Sequence, residues 1–271
     1  MKHLIACDLD GSLLNKQGQL TQKSIDTLNQ LRGEGHVVVL ATGRPYEGAI
    51  PKYLEIGLDT PLITDNGGSI SNPMDTSFAR QKTYLPIPVV KELFKNTKDY
   101  IISAFFSDNQ VVYAYKYDKK LEEFFNGMTS EHVVELEFSE LTVEPTGLVY
   151  LIDSKSMEKL EKYVDQFLGD TLSYRLWGVD NGYALYEIYL KHISKSSALT
   201  YLLDHYGMKK EQLIAFGDGI NDVEMIRDAH LGVAMLNGVD EVKAVCKDMT
   251  KYSHDEDGIA RYLIEYFNLD Y

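Results

Sequence analysis

The chain has 271 residues, with 27 Lys and Arg against 41 Asp and Glu and a formal net charge of -14; the length exceeds one ordinary domain of roughly 100 to 200 residues and predicts two. The charge repels a phosphate backbone, so nucleic acid is not an expected partner. Cys7 and Cys246 stand far apart in no CxxC pairing, the first apolar run is too short for a signal sequence, and no segment approaches ~18 apolar residues, so the expectation is a cytoplasmic protein without disulfides, thiolate metal sites or a membrane partner.

In chain order, LIACD (residues 4–8) reads as a strand, followed by a helix over about 21–33 with Ile25, Leu28 and Leu31 on one face and Thr21 as N-cap. VVVLA (37–41) is the apolar run of a strand buried on both faces; TGR, a helix opening at Pro45, PLIT (61–64) and a DNGG turn follow. The middle of the chain changes character. YIISAFF-SDNQ-VVYAYKY (100–117) and LSYRLWG-VDN-GYALYEIY (172–189) read as hairpins, and SMEKLEKYVDQFL (156–168) as an amphipathic helix. The first pattern then returns: LIAFGD (213–218), a helix from about Asn221, LGVAM (231–235), a helix through Val242 and a last helix from about Asp257 to Phe267. This predicts an α/β fold, a doubly wound, mostly parallel sheet split between the chain ends, with a second α+β domain inserted. There is no internal repeat.

Ligands in open α/β sheets bind at the carboxyl ends of strands. Here those ends carry Asp8 and Asp10, then Thr42-Gly43-Arg44, then GDGIND (217–222), while Lys195 opens the helix that brings the chain back from the middle. Taken alone, DLDGSL (8–13) reads as a solvated turn, TGR as a helix entry and Lys195 as a surface side chain. Together they place three or four carboxylates near one another, which repel unless a cation sits among them. A hard divalent ion such as Mg2+ is implied, held by one or two carboxylates and a substrate phosphate.

This set resembles the haloacid dehalogenase-like phosphohydrolases, and within them the Cof-type sugar-phosphate phosphatases. DLDGSL corresponds to the family's first motif, ATGR to its second, Lys195 in SKSSAL to its third and GDGIND to its fourth, in order, with DNGG, EVK (241–243) and DEDG (255–258) agreeing. The resemblance implies a discontinuous catalytic core, residues 1–84 and 191–271, and an α/β cap, residues 85–190, that selects the substrate. It implies Asp8 as nucleophile, Asp10 as general acid and then base, Thr42 and Lys195 as the other catalytic groups, and an aspartyl-phosphate intermediate. Leu9, Gly43 and Asn221, with Thr42 and Lys195, would cradle the phosphate; Asp8, Asp218 and the Asp10 carbonyl would hold Mg2+; Asp222 would orient a bound water or Lys195. Arg44 and Asn66 are the candidates for touching the substrate beyond its phosphate.

Departures from the family pattern are Ser12 in place of Thr, Ser196 and Leu236 where glycine is usual, and His254 where Asn often stands. None removes a reacting group. In GDGIND an acid lies between the first two glycines and Asp222 replaces the third, which argues against a dinucleotide site. The seven histidines form no HxxxH pattern, and Tyr113, Tyr115 and Tyr117 are expected to pack one face of the middle sheet. The function expected is hydrolysis of small phosphorylated metabolites by a monomer or weak homodimer. A phosphomutase and a non-catalytic phosphometabolite sensor are the alternatives.

Overall fold

The structure, a computed structural model, describes residues 1–108, 111–118 and 132–270. The chain divides into two compact units, Met1–Gln81 with Ile193–Tyr271, and Lys82–His192.

The first unit opens with β1 (Leu4–Cys7), every residue of which is buried. Helix α1 (Gln22–Gly33) starts at Thr21, whose hydroxyl accepts from the Ser24 N–H at 3.1 Å, and buries Leu28 and Leu31. β2 (Val37–Leu40) and α2 (Tyr46–Ile56) follow. Pro45 stands just outside α2, where its missing N–H costs the helix nothing. After β3 (Leu62–Thr64) the expected DNGG turn is a tighter device: Asp65, Asn66 and Gly67 all have positive φ, 52°, 53° and 100°, and fold the chain back as β4 (Ser69–Ser71). Asn and Asp tolerate that conformation better than other side chains. β5 (Gln81–Lys82) completes a three-stranded sheet in the order β3-β4-β5.

The second unit begins with α3 (Ile87–Thr97), then β6 (Ile101–Asp108) and β7 (Val111–Tyr115), paired antiparallel as the first expected hairpin; residues 109 and 110 of its turn lie outside the described residues. β8 (Val133–Glu135) and β9 (Gly147–Asp153) come next. The helix expected over 156–168 is α4 (Met157–Tyr163), continued by a wider turn through Leu168. β10 (Leu172–Asp180) and β11 (Tyr183–Leu190) form the second hairpin. The sheet order is β10-β11-β9-β6-β7-β8, with β9 bridging the two hairpins. Tyr113 stacks on Phe106 and Tyr115 packs edge-on to Phe94, but Tyr117 does not share their face. The strand stops at Tyr115, and Lys116, with φ of 52°, breaks the alternation.

The chain re-enters the first unit through α5 (Lys195–His205), β12 (Leu213–Gly217), α6 (Val223–Asp228), β13 (Leu231–Ala234), α7 (Asp240–Val245), β14 (Asp248–Met249) and α8 (Gly258–Phe267). Its sheet, β14-β13-β12-β1-β2, is parallel throughout and joins the two ends of the chain where Leu4 pairs with Leu213 and Cys7 with Phe216. Side chains alternate across it. Ile5, Cys7, Val38, Leu40, Ile214 and Phe216 pack with α1, α2 and α8, while Leu4, Ala6, Val39, Leu213 and Ala215 pack with α5, α6 and α7. A sheet covered on both faces leaves only its edges and strand ends for function, and all the parallel strands share one carboxyl end.

Candidate active site

Asp8 is the first residue beyond β1, its N–H donating to the Phe216 carbonyl at 3.0 Å, so the strand ladder itself fixes it. The chain then makes a wide turn, with Leu13 N–H reaching the Asp8 carbonyl and Leu14 N–H the Leu9 carbonyl, at 3.2 and 2.8 Å. Gly11, at φ of 74°, lets the turn pass: a Cβ there would overlap the Asp218 carboxylate. Lys195 is delivered from α5, whose first turn is locked by Ser194 capping Ser197. A Cβ on Gly67 would strike the Ser194 carbonyl, so this glycine admits the start of α5.

Lys195 is fully buried and its Nζ lies 2.6 Å from Asp8 Oδ1 and 2.6 Å from Asp222 Oδ1. Asp222 Oδ2 accepts from the Asp218 and Gly219 N–H groups, each at 3.0 Å. Both Asp222 oxygens are therefore engaged, and this residue braces Lys195 and the GDG turn. Asp8, Asp218 and Asp222 each place an oxygen within 4.8 Å of the others. One ammonium among three carboxylates leaves the cluster short of positive charge. Burial pushes the Asp8 carboxyl well up; Lys195 opposes this, while the neighbouring Asp222 and Asp218 charges add to the rise. Burial likewise raises Asp218 to about 6, although the Ser12 hydroxyl, donating to Oδ1 at 2.8 Å, pulls the other way. Burial works against the Lys195 ammonium, but Asp222 and Asp8 outweigh it and hold the lysine charged. Such a set fits a divalent cation, which Asp8 and Asp218 would hold, since Asp222 is committed elsewhere.

Asp10 lies on the exposed side, gripped by Arg44: Nε donates to Oδ2 at 2.7 Å and Nη2 to Oδ1 at 2.6 Å. Its bonds to Asp10 raise the Arg44 guanidinium further. Arg44, expected to touch the substrate, thus faces an acid of its own chain. Asn66, expected with it, is buried and accepts from Asn221 Nδ2 at 2.9 Å, which ties the turn after β3 to the GDGIND loop. Asn221 keeps its second amide hydrogen. Thr42 is buried beside them, its hydroxyl accepting from the Arg44 N–H at 3.1 Å. The Leu9 and Gly43 N–H groups donate to no backbone carbonyl among the described residues, as donors reserved for a ligand would be.

One positioning group escaped the sequence reading, and the role of another, Ser12, was not foreseen. Asn237 donates from Nδ2 to the Gly11 carbonyl at 2.7 Å and accepts from the His254 N–H at 3.0 Å, tying the first motif to the DEDG segment. Its signal was an Asn-Gly pair just after a strand. Ser12 holds Asp218. Of the departures, Ser196 bonds Asp228 at 2.8 Å on the outer side of α5, Leu236 is exposed, and His254 enters through its backbone.

A family model described as haloacid dehalogenase-like hydrolase matches residues 5–263. The 5-amino-6-(5-phospho-D-ribitylamino)uracil phosphatase YitU of Bacillus subtilis strain 168 is 33% identical over 271 residues, covering 98% of each chain. The pyridoxal phosphate phosphatase YbhA of Escherichia coli K12 is 28% identical over 89% of this chain and 90% of its own. A crystal structure of a haloacid dehalogenase-like hydrolase from Bacteroides thetaiotaomicron superposes with a TM-score of 0.80 at 27% identity, over 98% of this chain and 100% of that one. The chain belongs to the haloacid dehalogenase-like hydrolases, as the order of its four motifs implied, and is a hydrolase of phosphate esters.

Proposed function

We propose that the protein is a Mg2+-dependent phosphatase of small phosphorylated metabolites, sugar phosphates or small phosphorylated cofactors, acting in the cytoplasm through an aspartyl-phosphate on Asp8. The observation that carries this reading is the buried Lys195 bridge: residues 187 positions apart in sequence meet at 2.6 Å, and the bridge fixes Asp8 at the carboxyl end of the sheet. Burial of so many charges is costly and rarely serves stability alone.

In the first half-reaction Asp8 forms a bond to phosphorus while the bond from phosphorus to the ester oxygen breaks, and Asp10 gives its proton to that oxygen, releasing the alcohol. In the second, Asp10 takes a proton from water, the hydroxide oxygen bonds phosphorus, and the phosphorus–Asp8 bond breaks to release phosphate. The proton gained by Asp10 serves the next turnover. Lys195 keeps Asp8 oriented and offsets charge on the transferring group, Thr42 and the Asn221 amide donate to its oxygens, and the Leu9 and Gly43 N–H groups complete the cradle. Mg2+, which Asp8, Asp218 and the Asp10 carbonyl would hold, would neutralise charge on the phosphate. The inserted unit, residues 82–192, is assigned the choice of leaving group.

The two phosphatase relatives are named for substrates of this class, a ribitylaminouracil phosphate and pyridoxal phosphate. The test is a phosphate-release screen of hexose, pentose and ribitylamino phosphates, a flavin phosphate and pyridoxal phosphate beside a phosphopeptide, a phosphoprotein and a phosphorylated oligonucleotide. Small substrates are expected to win in kcat/KM, with activity lost in chelator, restored by Mg2+ and not by Ca2+, whose larger coordination shell misplaces the nucleophile. Full activity in chelator overturns the metal assignment. Phosphate release that gives way to phosphoryl return when a sugar bisphosphate is added indicates a mutase, and binding without turnover indicates a sensor.

A further inference from the structure

We infer that Arg44 is a positioning residue for Asp10: its guanidinium fixes the carboxylate that serves as acid and base, and it reaches the substrate only through that carboxylate. The inference rests on the phosphatase reading, in which Asp10 handles the leaving-group proton. Two parallel hydrogen bonds at 2.7 and 2.6 Å carry it, a fork-to-fork arrangement that matches a planar guanidinium and not an ammonium.

The two partners are held very differently. Arg44 donates its N–H to Thr42 Oγ1 at 3.1 Å, accepts from the Asp65 N–H at 3.0 Å, and donates Nη1 to the Gly48 carbonyl at 3.2 Å. Its side chain is 18% exposed, whereas that of Asp10 is 53% exposed. Asp10 also precedes Gly11 in the irregular part of the wide turn, where no helix or strand restrains it. So the fold pins the cation, and the cation pins the acid. An unpartnered aspartate of that exposure would sample several rotamers, and a general acid displaced by about an ångström loses much of its effect.

The pairing does not block proton transfer. A carboxylate offers about four lone-pair sites and a side-on guanidinium takes one on each oxygen. Each oxygen of Asp10 therefore keeps a site for a leaving oxygen or an attacking water. Of the five guanidinium N–H groups Asp10 takes two and the Gly48 carbonyl one; only by releasing both Asp10 bonds could the Nε–Nη2 edge offer a substrate the same two-pronged grip, which would leave Asp10 unsupported in the step that uses it.

The experiment compares leaving groups. Phosphate esters of p-nitrophenol, whose anion leaves without help, are set beside esters of alkyl alcohols such as glycerol phosphate, which must be protonated as they leave. With Mg2+ present, kcat/KM reads the steps through the first phosphoryl transfer. Arg44→Ala is expected to lose roughly a hundredfold on alkyl esters, the scale of a misplaced general acid, and at least about tenfold less on the aryl ester. Arg44→Lys, which keeps the charge without the fork, should show the same selective loss, and it carries the test if the alanine variant fails to fold. Added guanidinium ion should restore part of the alkyl activity of Arg44→Ala. An equal loss on all esters, expressed as a raised KM and not rescued by guanidinium, overturns the positioning role and returns Arg44 to substrate binding. A wild-type protein that releases phosphate from none of these esters overturns the phosphatase reading, and this inference with it.

Discussion

The two sides of the active site are built on opposite terms. Asp8, Lys195 and Asp222 are buried almost completely, and each is held by partners that are themselves fixed to strands or a capped helix. Asp10 is half exposed and among the described residues is held by Arg44 alone. The contrast fits the chemistry proposed for each. A nucleophile must keep one position, which a braced pocket provides, and its charge, which the Lys195 ammonium defends against the burial that opposes it. An acid and base must exchange a proton with alcohol and water in every turnover, so it stays near solvent and is steadied from behind.

The sharpest way to break this contrast is to remove the reacting group from the braced side. Asp8→Asn keeps shape and removes the attacking charge, so phosphate release should fall by roughly a thousandfold or more. The fold should survive, since one carboxylate fewer relieves the crowding with Asp218 and Asp222. Retention of activity within tenfold of the parent, in a protein of unchanged melting temperature, would show that Asp8 is not the nucleophile.

Lys195→Met tests the brace itself. It empties the charge from a fully buried site and leaves the Asp8 and Asp222 oxygens without their shared donor. Removing one member of a buried ion pair costs about 3 to 5 kcal/mol, so both activity and stability should drop, and urea denaturation should show it. Adding Asp222→Asn should recover part of the stability and none of the activity. Equal stability of Lys195→Met and the parent would mean that the bridge is looser than its distances state.

Much of the buried side was legible in the sequence because its members sit at strand ends. Short apolar runs marked β1, β2 and β12, and whatever follows such a run in a parallel sheet lands at the same edge. Asp8, Thr42 and Asp218 could be placed that way without knowing a single distance. Contacts made across loops were less legible. Arg44 and Asn66 were expected at the substrate, and nothing in their spacing shows the partners the fold gives them, Asp10 for Arg44 and Asn221 for the buried Asn66. The same limit hid Asn237, whose two partners, Gly11 and His254, are distant in sequence. In the second unit the hairpins announced themselves through alternation and turn residues, whereas β9 carries no turn signal of its own and emerged only as the strand that both hairpins flank.

A smaller effect probes where the two sides touch. Gly11 separates Asp10 from the proposed carboxylate ligands of the metal, and its backbone lies against the Asp218 carboxylate. Gly11→Ala meets two penalties at once: a positive φ that a side chain disfavours, and a methyl group where Asp218 stands. Asp218 must turn aside, so the half-saturating Mg2+ concentration should rise roughly tenfold to a hundredfold, the range seen when support of a metal ligand is lost. An unchanged Mg2+ requirement would show that Asp218 has room to move without consequence.

Ser12 gives the smallest effect and the cleanest reading. Its hydroxyl is buried and spends its one hydrogen on Asp218 Oδ1 at 2.8 Å. Ser12→Ala removes that donor and nothing else, leaving Asp218 free to rotate between its Ser12-bonded orientation and others. A hydrogen bond to a charged group contributes about 1.5 to 3 kcal/mol, but the ion would reclaim part of this by orienting the carboxylate itself. The expected result is a rise of about tenfold in half-saturating Mg2+ with kcat at saturating metal little changed. Ser12→Thr keeps the hydroxyl and should match the parent, provided the added methyl finds space beside the buried Leu9 and Leu13. If Ser12→Ala lowers kcat even at saturating Mg2+, the hydroxyl serves the phosphoryl group and not the metal ligand, and the boundary between the two sides of the site has to be redrawn at Ser12.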